Sequence, residues 1–231
     1  MSLRTNTLVL FMRNIGRTIG VNRCIASWLQ GNGYETQYDS QFSACLRPGD
    51  CVWDIGANVG YYTRLFAERV GPEGAVVAFE PSPVNFTRLV EQCNALNNVK
   101  FMQCGLGKSD GKLPFEQGED ELGATSHVAQ NSSSAIVVDI CSGDSLLEKA
   151  TVIKPNAIKL DVEGLELDVL EGMKDLLRQS HLRAIGIEVH FGILKANGFD
   201  KGSQQIEKLL SDSGFSHTWP DNSHLLAVRN P

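Results

Sequence analysis

Two sets of residues in this 231-residue chain have types and spacing suited to chemistry. The first is the turn Asp54-Ile55-Gly56-Ala57-Asn58-Val59-Gly60, followed at a distance by Glu80. The second is Asp161, Glu163, Glu188 and His190. Glycines that close a strand and open a helix let the backbone approach a ligand that a Cβ would exclude. An acid about twenty residues further on can accept both hydroxyls of a ribose. Three carboxylates and an imidazole at neighbouring strand ends can take a proton from a hydroxyl.

The glycine spacing discriminates between ligands. A dinucleotide site wants G-x-G-x-x-G with the pyrophosphate on a helix N-terminus. Here the turn reads G-A-N-V-G, without the central glycine, and Asp54 precedes it. A carboxylate there repels a pyrophosphate and suits an ammonium group, such as that on the methionine part of S-adenosylmethionine. No Gly-Lys-Ser/Thr follows, which excludes a P-loop. His190 is the most natural base, because its ordinary pKa lies near neutrality. The bland alternative is a satisfied histidine at a strand end. The same cluster could hold Mg²⁺ through oxygen ligands, a less favoured use, and no metal ligand is assigned. Lys159 is expected to pair with an acid of the site. His127, His181, His217 and His224 have no matched partners.

Stepping outward along the chain, short apolar runs alternate with helical stretches from Arg47 onward. That alternation predicts an α/β fold with a mostly parallel sheet and helices on both faces. Core strands are expected at Cys51–Ile55, Ala75–Phe79, Val99–Cys104, Ala157–Asp161 and Ala184–Val189. Helices are expected at Val59–Val70, with Leu65, Phe66 and Val70 inward, at Val84–Leu96 capped by Ser82, and at Leu165–Gln179. A further helix over Ser203–Ser213 precedes two strands near Phe215–Trp219 and Leu225–Val228. Residues 1–45 form a separate zone, with amphipathic helices over Leu8–Leu29 that would cap or cover the edge of a domain spanning 46–231. The polar segment Gly118–Ser134 is expected to be a loop that contacts substrate, together with the N-terminal helices.

Composition narrows the class. The chain carries 21 basic residues against 27 acids and a net charge of −6, which argues against a nucleic-acid partner. The six cysteines (Cys24, Cys45, Cys51, Cys93, Cys104 and Cys141) form no CxxC pair, so zinc-ligand spacing is absent and reduced thiols are expected. The apolar run Leu8–Met12 is far too short to span a bilayer and lacks a cleavage site. A cytoplasmic protein without a membrane partner is expected; the oligomeric state is open, a homodimer included.

The ordered motifs Val52-Trp53-Asp54-Ile55-Gly56-Ala57-Asn58-Val59-Gly60-Tyr61-Tyr62-Thr63, Phe79-Glu80-Pro81 and Ile158-Lys159-Leu160-Asp161-Val162-Glu163-Gly164 resemble the FkbM family of methyltransferases. So do Glu166, Val169-Leu170-Glu171-Gly172 and Ile187-Glu188-Val189-His190. The likeness runs from about Asp50 to His190. It implies a Rossmann-like methyltransferase fold, S-adenosylmethionine as donor, and O-methylation of a hydroxyl on a small molecule or sugar. By position it places Asp54, Gly56, Asn58 and Gly60 around the methionine end and Glu80 on the ribose. Cys104 and Gly105 would lie beside adenine, although the family wording there is Ala-Leu-Gly and this chain has Gly105-Leu106-Gly107. A nicotinamide-dependent oxidoreductase and a non-catalytic module that binds S-adenosylmethionine are the competing readings.

Overall fold

In a computed structural model of the chain, the described residues are 36–116, 127–128 and 136–230. The helices expected over Leu8–Leu29, and most of the segment Gly118–Ser134, lie outside them. The chain enters through helix α1 (Thr36–Cys45), strand β1 (Cys51–Ile55), helix α2 (Tyr61–Val70), strand β2 (Ala75–Phe79), helix α3 (Pro83–Cys93) and strand β3 (Val99–Met102). Later come β8 (Ala157–Leu160), helices α5 (Glu166–Glu171) and α6 (Lys174–Leu177), β9 (Ala184–Glu188), α7 (Phe191–Ala196), α8 (Gly202–Asp212), β10 (Phe215–Thr218) and β11 (His224–Arg229). These strands form one seven-stranded sheet in the order β10-β11-β9-β8-β1-β2-β3. Its central pairs are parallel, and β11 runs antiparallel to both β9 and β10. This is the doubly wound sheet that the alternating pattern predicts.

Strand order determines where a ligand can sit. After β1 the chain builds outward through β2 and β3, then crosses back to lay β8 on the other side of β1. The carboxyl ends of β1 and β8 therefore flank the point where the winding reverses, where open α/β sheets bind ligands. Register brings Asp54 opposite Lys159 and Ile55 opposite Leu160. Trp53, Ile55, Ile158, Leu160, Ile185 and Ile187 face one buried layer with Leu170, Met173 and Leu177. Val52, Ala157 and Ala184 face the other, with Phe66, Val70, Tyr38 and Phe42. Strands covered on both faces are apolar on both, hence the unbroken hydrophobic runs.

Several local expectations shift. In α2 the buried residues are Thr63, Phe66, Ala67 and Val70; Leu65 is half-buried. Ser82 does cap α3, its hydroxyl accepting from Asn85 N at 3.4 Å. Helix α1, from the zone assigned to a cap, packs Tyr38 and Phe42 into the core against Phe66. The third strand stops at Met102, and Gly105–Leu106 (β4) starts a second sheet with β7 (Ile136–Cys141), β5 (Gly111–Glu116) and β6 (His127–Val128). Helix α4 (Gly143–Glu148) follows β7. Among the described residues, no helix is long and apolar enough to cross a membrane.

The single helix expected over Leu165–Gln179 is broken into α5 and α6 at Gly172-Met173. Gly172 rests against the backbone of Gly107, and its carbonyl accepts from Asp144 N at 3.0 Å. The Asp144 carboxylate then accepts from Asp175 N and Leu176 N at 3.0 and 2.9 Å, starting the second segment. A Cβ at Gly172 would collide with the Gly107 carbonyl. Gly172→Ala should therefore destabilise the fold by ~1–3 kcal/mol, as overpacked sites do. A lowered urea midpoint checks this; an unchanged one would mean the Gly107 loop moves aside freely.

Candidate active site

The glycine turn is built by two backbone approaches. Gly56 adopts φ +79° and Gly60 φ +94°. A Cβ on Gly56 would fall on the Asp161 carbonyl, and one on Gly60 would press on Leu89 and Cys93. Both Gly56 N and Ala57 N donate to Phe79 O at 3.0 Å, tying the turn to the end of β2. Asn58 takes the left-handed region at φ +50°, which asparagine tolerates better than most residues. Its N–H donates to Glu80 Oε2 at 2.9 Å, while Glu80 Oε1 accepts from Ser82 N at 2.8 Å.

Glu80 is nearly buried, and that burial pushes its carboxyl up to about 7, against the pull of Ser82 N, Asn58 N and the Lys159 charge. A carboxylate has about four acceptor positions. Two go to the backbone here, so Glu80 braces the turn and retains capacity for hydroxyl donors.

Asp54 is fully buried. Its Oδ2 accepts from Thr63 Oγ1 at 2.6 Å, and Oδ1 makes no hydrogen bond. The Asn58 amide oxygen is likewise buried without one. Lys159 does pair with acids: its Nζ lies 3.5 Å from Asp54 Oδ1 and 3.5 Å from Asp161 Oδ2, and it donates to Gly56 O at 3.1 Å. The ammonium also stands 5.0 Å from the Tyr62 ring centroid, and Tyr62 stacks on Phe66. Tyr61 is exposed. On the far side of Glu80, Cys104 is buried and Gly105 leaves only glycine's space against Ile140 and Pro81.

Asp161, Glu163, Glu188 and His190 converge at the ends of β8 and β9. Strand β9 ends at Glu188, and His190 caps the start of α7, so strand alternation does not align the two side chains. His190 Nε2 instead swings in to 3.2 Å from Glu163 Oε2, 3.7 Å from Asp161 Oδ1 and 3.9 Å from Glu188 Oε1. Glu163 reaches it from a left-handed backbone, φ +48°, just before Gly164 at φ +92°.

Two partners lie beyond the predicted set. Glu166, fully buried, meets His190 Nδ1 at 2.5 Å through Oε1, which also accepts from Gly164 N at 2.9 Å. Its sequence signals are its place in the family resemblance and its position in the first turn of the helix that follows the Asp161-to-Gly164 motif; neither points to His190. His224, read as partnerless, is bound to Asp221 Oδ2 through Nδ1 at 2.8 Å and stacks on Tyr38. Its Nε2 lies 3.8 Å from Glu188 Oε2, because antiparallel pairing sets His224 opposite Glu188.

The environment changes the proton affinity on which the base assignment rested. Burial, the largest influence on His190, lowers its pKa. Glu163, the hydrogen bond to Glu166 and the charges of Glu166 and Glu188 outweigh burial and lift it to about 9. The imidazole beside these carboxylates is therefore cationic at neutral pH, not poised near 7.

Residues 54–216 match the model of the methyltransferase FkbM domain. Hexuronic acid methyltransferase AglP of Haloferax volcanii is 33% identical over 168 residues, covering 72% of this chain and 64% of AglP. The chain thus spans just under two thirds of that relative's length. The 31-O-demethyl-FK506 methyltransferase FkbM of Streptomyces tacrolimicus is 54% identical over 69 residues, 29% of this chain and 25% of that one. The crystal structure of methyltransferase FkbM from Methylobacillus flagellatus superposes with a TM-score of 0.53 at 18% identity, covering 79% of this chain and 44% of that one.

The raised His190 pKa has a stability consequence. A histidine whose folded pKa exceeds its ordinary 6.5 adds stability that is complete below that value and is lost as pH rises through about 9. Urea unfolding should show this contribution, at most ~3 kcal/mol, fading between those limits. His190→Gln should flatten that slope, and an unchanged slope would locate the charge elsewhere.

Proposed function

Because the chain belongs to the FkbM family of methyltransferases, we propose that it transfers the methyl group of S-adenosylmethionine to a hydroxyl oxygen of a small molecule or sugar. The observation that carries this reading is that Lys159 joins Asp54, Asp161 and the Gly56 carbonyl at the end of β1, setting the turn braced by Glu80 beside the Asp161–Glu163–Glu188–His190 cluster. Glu80 holds the ribose. Asp54 Oδ1 and the Asn58 amide oxygen, both buried and without hydrogen bonds, meet the ammonium of the methionine part. Cys104 and Gly105 line the adenine side.

A sulfonium is cationic, and an excess of carboxylates favours it at the point where β8 and β9 end. Transfer itself is an in-line displacement, so holding the acceptor oxygen behind the methyl carbon supplies much of the rate. The acceptor hydroxyl approaches over Glu163, whose side chain is the most exposed of the four. Its proton passes to a carboxylate of the cluster, beside the cationic His190, as the C–O bond forms and the C–S bond breaks. The hydroxyl and sugar reading also draws on the two relatives, whose names specify a hexuronic acid and 31-O-demethyl-FK506.

Calorimetry with S-adenosylmethionine and NAD separates this reading from a nicotinamide-dependent oxidoreductase. Binding of the first alone is expected, and binding of NAD alone would overturn it. Because Glu80 is protonated below about 7, affinity for S-adenosylhomocysteine should fall about tenfold from pH 8 to pH 6, one unit of lost proton linkage. Glu80→Gln should bind weakly at both, and a flat profile in the unaltered protein would remove Glu80 from the ribose. Once an acceptor is found, His190→Ala should lower kcat by ~10²-fold or more, because the carboxylates that take the proton lose the imidazolium that orients them, with cofactor affinity little changed. Undiminished turnover would eliminate His190 from the chemistry.

A further inference from the structure

We propose that Asp161, Glu163 and His190 form a binding site for one divalent cation of the manganese type. One ligand atom from each of the three residues lies within 4.8 Å of the other two, and His190 Nε2 is 3.7 Å from Asp161 Oδ1 and 3.2 Å from Glu163 Oε2. That spread is what three ligands around a single ion require, since metal–oxygen and metal–nitrogen distances run to about 2.0–2.6 Å.

An acidic cluster alone would not carry this. The independent observation is the state of His190. Its ring is buried, and Nε2 makes no hydrogen bond although it faces Asp161 and Glu163. Meanwhile Nδ1 is held at 2.5 Å by Glu166, a carboxylate with no exposure to solvent. A histidine that ligates a metal almost always gives its other ring N–H to a carboxylate or carbonyl, which fixes the tautomer and aims the free nitrogen at the ion. Glu166 does this here and is itself fixed by Gly164 N; a cation at Nε2 displaces the proton that the facing carboxylates otherwise hold on the ring, so uptake releases a proton.

Asp161 divides its oxygens in the same sense. Oδ2 is 3.5 Å from Lys159 Nζ, while Oδ1 faces His190. Glu163, on its left-handed backbone, presents Oε2 to the same space. Two oxygens and an imidazole nitrogen suit a cation that accepts both donor types, and Mn²⁺ does so more readily than Mg²⁺. Three protein ligands leave coordination positions open on the side where the proposed acceptor oxygen enters. A metal there would lower the pKa of a bound hydroxyl and orient it; that role, unlike the binding itself, rests on the methyltransferase reading.

The test uses the full untagged chain, stripped with a chelator and titrated with MnCl₂ while free Mn²⁺ is read by electron paramagnetic resonance. S-adenosylhomocysteine binding is measured in parallel by calorimetry. One Mn²⁺ per chain is expected. Glu163→Gln and His190→Ala should each weaken its uptake at least tenfold, and Glu166→Gln by ~10–100-fold, the usual cost of losing a carboxylate behind a ligating histidine. Glu163 is partly exposed, so its variant should fold and keep its affinity for S-adenosylhomocysteine. No uptake up to about 1 mM, the weak end for protein sites, would overturn the proposal, as would equal uptake by the Glu163 and His190 variants. If S-adenosylhomocysteine binds and Mn²⁺ does not, the metal site falls and the cofactor reading stands; the reverse result overturns only the cofactor reading.

Discussion

At the end of β1 the chain turns so close to β8 that the α-carbon of Gly56 lies against the carbonyl of Asp161, with no room for a side chain between them. Everything at the site follows from that contact. It holds the glycine turn at the point where the strand order reverses, and it lets Lys159 reach Asp54, Asp161 and the Gly56 carbonyl at once. It also leaves Asp161 and the residues after it facing the same space as Asp54 and Glu80. The positive φ at Gly56 adds a second reason for glycine, so steric and conformational demands coincide at one position.

The charge distribution around this contact is lopsided by design of the strand ends. Asp54, Asp161, Glu163, Glu166 and Glu188 gather around Lys159 and His190, all but Glu163 nearly out of solvent. Buried carboxylates are costly unless hydrogen-bonded or matched by cations. Part of the match is internal: Lys159 serves two acids, and His190 stays protonated to about 9 because of its neighbours. The remaining excess is what a cationic ligand can satisfy. A pyrophosphate would meet repulsion at the same place, which is the electrostatic reason for preferring a sulfonium cofactor over a dinucleotide.

The parallel sheet, the glycine turn and Glu80 were legible because each rests on local rules: apolar runs for strands covered on both faces, glycine where φ is positive, an acid just after a strand. The break at Gly172 was not legible, because it comes with close packing on the backbone of Gly107, a residue 65 positions away, and a hydrogen bond from Asp144 N. Continuous helical periodicity from Leu167 to Leu177 carries no trace of it. His224 escaped notice for a similar reason. Only antiparallel pairing of β11 on β9 sets it opposite Glu188, and a lone histidine in an apolar run gives no hint of its partner. The four acid/His residues were found from their nearness to strand ends. The pKa of His190 was not legible either: the carboxylates packed around it raise it to about 9, and no spacing rule reveals them.

The most direct measurement is a crystal structure of the chain with S-adenosylhomocysteine bound. The ribose hydroxyls should lie on Glu80, the amino group against Asp54 and Asn58, and the sulfur should open toward Asp161, Glu163 and His190. A ligand bound with its ribose away from Glu80, or with the sulfur turned from that cluster, would contradict the account.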